Sequence, residues 1–181
     1  MKLISCTIEN FGKLNNVTYD FSGECNTICE DNGWGKSTLA SFIRVMFYGF
    51  KNESKKKLVD KERNRLMPWQ KGVYGGEIVF ETGGVVYSLR RTFGKKQADV
   101  EFLLVRKDTN VECDDFSCDI GEELFKIDAQ SFERTVFIGQ SDCVTATTDS
   151  INAKIGNLAD NTDDINNFET AVGRLIAVLN N

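Results

Sequence analysis

A short glycine-containing segment between a β-like run and an amphipathic run limits the possible folds of this chain more than any other feature. Residues 25–29 are rich in β-branched side chains and predict a short strand. Residues 36–48 carry apolar side chains at helical spacing and predict a helix that ends at Gly49. The segment between strand and helix reads Glu30, Asp31, Asn32, Gly33, Trp34, Gly35, Lys36, Ser37, Thr38.

A strand, a glycine loop and a helix that opens with Lys-Ser-Thr predict a phosphate-binding loop. Gly33 and Gly35 let successive backbone N–H groups approach phosphate oxygens, and the helix start adds its positive dipole end. Lys36 is expected to reach the β- and γ-phosphates of a nucleoside triphosphate, and the Ser37 hydroxyl to bind Mg²⁺. The predicted nucleotide contacts are Asn32, Gly33, Trp34, Gly35, Lys36, Ser37 and Thr38. The alternative, a glycine-rich turn without a ligand, does not account for this helix start.

One position departs from the usual pattern G-x-x-x-x-G-K-[ST]. The pattern has glycine where this chain has Glu30. If the position requires a positive φ, glutamate is strained there. Its negative charge is also expected to weaken phosphate binding.

The composition limits the possible chemistry. The chain has 181 residues, 41% of them hydrophobic, which suits one globular domain. No apolar run approaches the roughly 20 residues of a membrane span, and the first ten residues lack a leader-like stretch, so we expect a cytoplasmic protein with reduced cysteines. The chain contains no histidine, which excludes a Ser-His-Asp or Cys-His nucleophilic site within it.

The remaining pattern is mostly β-like up to residue 106. Strands are predicted at residues 2–9, 17–21, 76–81, 85–91, 100–106 and 136–139, and helices at 121–126 and 129–135. A turn is predicted at residues 10–12, and Gly83 with Gly84 predicts a hairpin. Near the end, Ile165, Phe168, Val172, Leu175 and Leu179 follow an a/d heptad spacing. This spacing fits either the start of a coiled coil or an amphipathic helix packed on the domain.

Charge is distributed unevenly. Residues 1–107 hold 18 basic and 12 acidic side chains, whereas residues 108–181 hold 4 and 15. One basic stretch comprises Lys51, Lys55, Lys56, Lys57, Lys61, Arg63, Arg65 and Lys71; a second cluster comprises Arg90, Arg91, Lys95 and Lys96. Such clusters suit contacts to a nucleic-acid backbone, and they equally suit a solvated loop.

Several segments resemble one family. Residues 32–38 (NGWGKST) look like the phosphate-binding loop of ABC-class ATPases, and residues 3–12 resemble the opening of the SMC, SbcC and RecF branch. Residues 42–50, 68–69 and 74–76 are similar to the YhaN-type members. Residues 131–140 resemble the segment that carries the glutamine of the Q-loop. The resemblance covers nearly the whole chain.

The resemblance implies an α/β P-loop NTPase fold, the N-terminal lobe of an ABC-class head, with a mixed or antiparallel sheet around the P-loop helix. Residues 1–149 would form this lobe, and residues 150–181 the start of a coiled-coil arm. Gln140 would be the Q-loop glutamine, close to Mg²⁺ and the attacking water. Without the resemblance, the sequence around Gln140 equally indicates a surface glutamine at the end of a strand. Residues 10–13 would lie near the nucleotide base.

The resemblance also implies partners. In such ATPases a sequence-distant C-terminal lobe carries the signature motif, the Walker B aspartate and the catalytic glutamate. Neither Asp114–Asp115 nor Asp163–Asp164 follows an apolar strand, so neither fits Walker B. The implied function is ATP-driven pairing of two heads in DNA repair or DNA-end processing, with duplex DNA and a nuclease as partners. The alternative is a nucleotide-gated scaffold that does not act on DNA; a self-sufficient small kinase or GTPase is disfavoured because the Walker B acid and the NKxD motif are missing.

Overall fold

The structure, a computed structural model, describes residues 1–21, 23–51 and 61–137. The chain divides into a unit Met1–Lys126 and a second unit that begins at Ile127. Because the second unit is described only as far as residue 137, the proposed boundary at 149 and the arm at 150–181 stay predictions. No helix in the described ranges is long and apolar enough to cross a membrane.

The first unit is built on a six-stranded sheet in the order β2-β1-β3-β4-β5-β6. Every pairing among these strands is antiparallel, so the described sheet is not mixed. The strands are β1 Lys2–Phe11, β2 Leu14–Asp20, β3 Gly75–Thr82, β4 Val85–Thr92, β5 Glu101–Arg106 and β6 Val111–Glu112.

Turn chemistry sets the register of the predicted hairpin. Thr82 pairs with Val85, and the two residues between them, Gly83 and Gly84, have φ values of 57° and 78°. Two successive positive φ values match the right-handed twist of the flanking strands and favour glycine. The hairpin predicted from these glycines is therefore confirmed.

Helix α1, Lys36–Tyr48, has the predicted bounds and ends at Gly49 with φ 75°. It packs on the sheet face that carries Cys6 and Ile8, both fully buried. Ile43 is only partly buried, whereas Arg44 and Phe47 are buried, so the buried stripe is wider than expected. The buried side chains of α1 are Leu39, Phe42, Arg44, Val45, Met46 and Phe47.

Three short helices complete the described elements. They are α2 Glu62–Arg65, α3 Ile120–Phe125 and α4 Ala129–Thr135. Helix α3 approaches the end of α1 closely, since a Cβ on Gly121 would lie 2.8 Å from the Tyr48 ring. In the second unit α4 begins at Asp128, whose carboxylate accepts a hydrogen bond of 2.7 Å from the Ser131 N–H, and this bond lowers the pKa of Asp128.

Several expectations about elements were wrong. Residues 25–29 form no strand and are mostly exposed, because no strand of the described part lies beside them to complete a hydrogen-bonded ladder. Strand β1 continues to Phe11, so the turn falls at residues 12–13 rather than 10–12. The sequence did not indicate α2, β6 or a single 3-10 turn at Gln97–Asp99. Residues 136–137 are not in a strand, and the rest of that predicted strand lies outside the described residues.

Candidate phosphate-binding loop

The loop before α1 turns sharply at its two glycines. Gly33 has φ 82° and Gly35 has φ 126°, conformations that side chains with a Cβ rarely adopt. The Trp34 N–H donates to the Asp31 carbonyl at 3.2 Å, which closes the turn. A Cβ on Gly35 would also lie 2.9 Å from Leu14 Cδ2, so this position requires glycine for two reasons. The structure thus shows why glycine occupies these two positions, and phosphate binding by the loop stays a prediction.

The start of α1 is open to an anion. Gly35 is the N-cap and offers no side-chain cap, while the Leu39 N–H donates to its carbonyl at 2.9 Å. A helix leaves its first N–H groups without acceptors in the helix itself. The first turn contains no acidic side chain, and both Lys36 and Ser37 are exposed. Partial positive charge is therefore concentrated at an accessible surface.

The Lys36 ammonium lies against the loop itself. Its Nζ donates to the Glu30 carbonyl at 2.5 Å and to the Asp31 carbonyl at 3.1 Å. Neutral carbonyls are weaker partners for an ammonium group than charged oxygens are. A phosphate oxygen placed in the loop would therefore compete well for this cation.

Glu30 is not strained. It is exposed, and its φ is not among the positive values of the described residues, so the structure gives no steric reason for a glycine there. Its charge acts locally: the pKa of Tyr19 is raised, first by partial burial and second by Glu30. Tyr19 also contacts the loop, because its ring meets the Trp34 ring edge-on at 5.9 Å.

A buried ion pair near the C-terminal end of α1 was not anticipated. Arg44 of α1 and Glu62 of α2 are 2% and 6% exposed, and their side chains form a close salt bridge. Arg44 Nη1 also donates to the Gly49 carbonyl at 2.9 Å, and the Lys51 N–H donates to Glu62 Oε2 at 2.7 Å. The available signal was an arginine within the apolar stripe of a helix, which requires a buried acceptor.

Three arginines of the two basic clusters make contacts within the domain. Arg63 is 1% exposed and stacks over the Phe50 ring at 4.5 Å. Arg91 is 5% exposed, and burial lowers its pKa to about 10. Arg90 forms a salt bridge of 2.6 Å with Glu9. These three arginines are therefore engaged within the domain, while residues 52–60 of the first cluster lie outside the described residues.

The structure describes some of the other candidate positions and not others. Gln140 lies outside the described residues, so its role stays a prediction. Asn10 is buried and its amide donates to the Val73 carbonyl at 3.0 Å, whereas Gly12 and Lys13 line a cavity beside Thr38. No group of three or more His, Cys, Asp or Glu side chains in the described part could hold a metal ion.

Asp115, which did not fit a Walker B site, accepts hydrogen bonds from Tyr87 at 2.9 Å and from Arg106 at 2.7 Å. The five cysteines of the described part, Cys6, Cys25, Cys29, Cys113 and Cys118, are free. Burial raises the pKa of the Cys6 thiol to about 12, so Cys6 is an inert core residue.

Comparison with known proteins agrees with this geometry. The sequence pattern of an AAA domain family matches residues 5–180. The uncharacterized protein YhaN of Bacillus subtilis (strain 168) is 35% identical over 82 residues, which is 45% of this chain and 8% of that protein. The matched region thus spans less than a tenth of this much longer relative. The chain belongs to the AAA domain family, in its SMC- and SbcC-like ABC-class branch, and corresponds to the N-terminal region of such an ATPase.

Proposed function

We propose that this chain is the ATP-binding N-terminal lobe of an SMC/SbcC-type ATPase, with Mg²⁺ as the second cofactor. The observation that carries the proposal is the uncapped start of α1 behind Gly33 and Gly35, with the Lys36 ammonium held on neutral carbonyls. These groups together present N–H donors, a helix dipole and one cation to a triphosphate. Family membership supports the same assignment.

The side chains at the loop fit both cofactors. Lys36 would exchange its carbonyl acceptors for phosphate oxygens, and the exposed Ser37 hydroxyl would supply one oxygen ligand to Mg²⁺. When bound, Mg²⁺ neutralises charge that develops on the phosphates during transfer. No cluster of three or more acidic, cysteine or histidine side chains lies in the described part, so Ser37 is the side chain that we assign to the ion there.

The catalytic set is divided between lobes in this proposal. Hydrolysis requires a positioned water, an orienting or basic group and stabilisation of charge at the γ-phosphate. This chain would supply Lys36, Ser37 and Gln140. A C-terminal lobe of the same ATPase would supply the carboxylates, and a second head the signature motif. Residues 25–29 are mostly exposed and unpaired in the described sheet, so we place the contact with that C-terminal lobe there.

The experiment is steady-state phosphate release by the purified chain, alone and mixed with its C-terminal lobe. We expect almost no turnover by the chain alone, and turnover in the mixture that Lys36→Ala removes. Lys95→Ala, which replaces an exposed lysine away from the loop, is the matched control. Multiple turnover by the chain alone that depends on Lys36 would overturn the divided-site proposal.

A more specific proposal is that the ATPase acts on DNA. The function would be DNA repair or DNA-end processing, with head pairing driven by ATP, in the cytoplasm and with a nuclease partner. The alternative is a nucleotide-gated scaffold that does not act on DNA. The engaged positions of Arg63, Arg90 and Arg91 favour this alternative, because they leave fewer cations for phosphate contacts.

Salt dependence separates these two candidates. If the full-length protein binds duplex DNA through residues 51–71, the logarithm of its affinity falls with the logarithm of salt concentration, with a slope of about −0.9 per phosphate neutralised. Replacing Lys55, Lys56 and Lys57 by glutamate should then abolish binding. Binding that resists salt, or that survives this replacement, contradicts the DNA proposal.

A further inference from the structure

A cavity of about 190 Å³ lies at the C-terminal end of α1, beside Gly49. Its walls come from the end of α1, from α2 and from strands β4 and β5 with the segments that follow α1 and β4. Four of the lining side chains are aromatic, namely Tyr48, Phe50, Phe93 and Phe102. Because sites for drug-sized ligands measure about 300–1,000 Å³, this cavity suits a smaller molecule than a nucleotide.

Two buried arginines line the same cavity. Arg63 is 1% exposed and Arg91 is 5% exposed. Each guanidinium stacks over one of the lining rings, Arg63 over Phe50 at 4.5 Å and Arg91 over Phe102 at 5.1 Å. A stacked guanidinium keeps its N–H groups at its edge, where they can still donate hydrogen bonds. The cavity thus combines aromatic faces with cationic donors.

The hydrogen bonds of Arg91 are incomplete. Its Nη1 donates to the Val45 carbonyl at 3.4 Å and its Nη2 to the Cys118 carbonyl, and both acceptors are neutral. Its Nε is buried and has no hydrogen-bond partner in the described part. Burial lowers the pKa of Arg91 to about 10, so the side chain keeps its charge at neutral pH. A negatively charged oxygen beside Nε would offset the cost of burying this cation.

One opposing charge lies at the cavity. The Asp119 side chain lines it and is exposed, so water screens its attraction for Arg91. An anion that enters the cavity is repelled by this carboxylate. Removal of the Asp119 charge should therefore strengthen the binding of an anion.

We propose that this cavity binds a small carboxylate that has an apolar or aromatic body. The carboxylate oxygen accepts a hydrogen bond from Arg91 Nε, and the body packs against the lining rings. The site shares no residue with the phosphate-binding loop, so it does not depend on the proposed nucleotide binding. A neutral molecule of the same shape lacks the charged acceptor, and inorganic phosphate lacks the apolar body.

The test is a titration of the full chain with benzoate, benzamide and inorganic phosphate at constant ionic strength, followed by NMR chemical shifts. Benzamide has nearly the shape of benzoate without its charge. Because hydrogen bonds to charged groups change affinity by about tenfold or more, benzoate should bind more tightly than benzamide by that factor. Phosphate should bind more weakly than benzoate, and inorganic triphosphate with Mg²⁺ should not displace benzoate.

Three variants locate the binding. Arg91→Lys keeps the positive charge and removes the Nε–H donor, so it should lower benzoate affinity by about tenfold or more and leave benzamide affinity unchanged. Asp119→Asn removes the opposing charge and should raise benzoate affinity by about twofold to fivefold. Asp114→Asn replaces an exposed carboxylate that does not line the cavity, and this matched control should change nothing.

Several results would overturn the proposal. They are equal affinity for benzoate and benzamide, no binding of benzoate at millimolar concentration, and phosphate binding as tight as that of benzoate. Displacement by inorganic triphosphate would place benzoate in the phosphate-binding loop and is equally decisive. Thermal melting checks that Arg91→Lys is folded. If it is not, Asp119→Asn decides, since this exposed position tolerates the change and an unaltered benzoate affinity contradicts the site.

Discussion

Helix α1 carries two cationic side chains, one at its first residue and one near its middle, and the two have different surroundings. At the start, Lys36 is exposed and its ammonium contacts the Glu30 and Asp31 carbonyls. Two turns further on, Arg44 is 2% exposed and forms a salt bridge with buried Glu62. One helix thus presents a cation with neutral partners to solvent and a cation with a charged partner to the core.

Because of their different partners, we expect Lys36 to contribute to ligand binding and Arg44 to contribute to stability. A cation held by carbonyls gains when an anion replaces them, because charge-assisted hydrogen bonds are the stronger ones. A buried cation that already has a carboxylate partner gains nothing from a ligand, and its loss leaves an unpaired buried charge. We therefore expect changes at the start of α1 to alter ligand affinity and changes at its middle to alter stability.

The largest effect is expected for Arg44→Ala. This change leaves the Glu62 carboxylate, which is 6% exposed, without the arginine that neutralises its charge. Removing one partner of such a buried pair destabilises a protein by about 3–5 kcal/mol. Chemical denaturation should show the loss in the free energy of unfolding. The double variant Arg44→Met with Glu62→Gln removes both charges and should recover part of the stability. If Arg44→Ala unfolds as the unmodified chain does, the pair is not structural.

The next effect is expected for Lys36→Ala. It removes the cation that would bind the phosphates, and hydrogen bonds to charged groups change affinity by about tenfold to a hundredfold or more. We expect the lobe to bind ATP only weakly by itself, so this loss should take binding below detection in a calorimetric titration. The midpoint of thermal unfolding should stay unchanged because Lys36 is exposed. Retained ATP affinity in a folded variant would refute the phosphate-binding loop.

The two loop glycines should differ from one another. Gly35→Ala places a Cβ 2.9 Å from Leu14 Cδ2 at φ 126°, whereas Gly33→Ala places one in open space at φ 82°. We expect Gly33→Ala to cost only backbone strain, about 1–2 kcal/mol, and Gly35→Ala to cost more. Urea denaturation of both variants gives the comparison. An equal loss in the free energy of unfolding for the two variants would show that the contact with Leu14 does not affect stability.

The smallest effect is expected at Glu30. Its backbone is not in the left-handed region, so Glu30→Gly relieves no strain and acts through charge and flexibility. ATP binding should become slightly stronger or stay the same. Glu30→Gln, which removes the charge alone, should match it within about twofold if charge is the cause. A large loss of affinity in either variant would show that the carboxylate has a positive role in the loop.

Local patterns accounted for much of the fold. The helix at residues 36–48 and its end at Gly49 follow from apolar spacing and a positive φ, and both were predictable. The hairpin at Gly83 and Gly84 was predictable for the same local reason. The strand predicted at residues 25–29 failed, because β-propensity has no effect without a neighbouring strand to complete the ladder.

The sequence by itself determined the glycine loop and the helix that follows it, since both depend on residues that are neighbours in the chain. Only the tertiary structure decided which cationic side chains are exposed to solvent and which are buried in contacts within the domain. The sequence predicted Arg63 and Arg91 to be surface charges. Both are buried, and their guanidinium groups stack over Phe50 and Phe102, each more than ten residues away in the chain. The cavity beside Thr38 likewise combines residues 12–13 with residues 65–70. Such pairings depend on how strands and helices pack in space, and spacing along the chain carries no information about them.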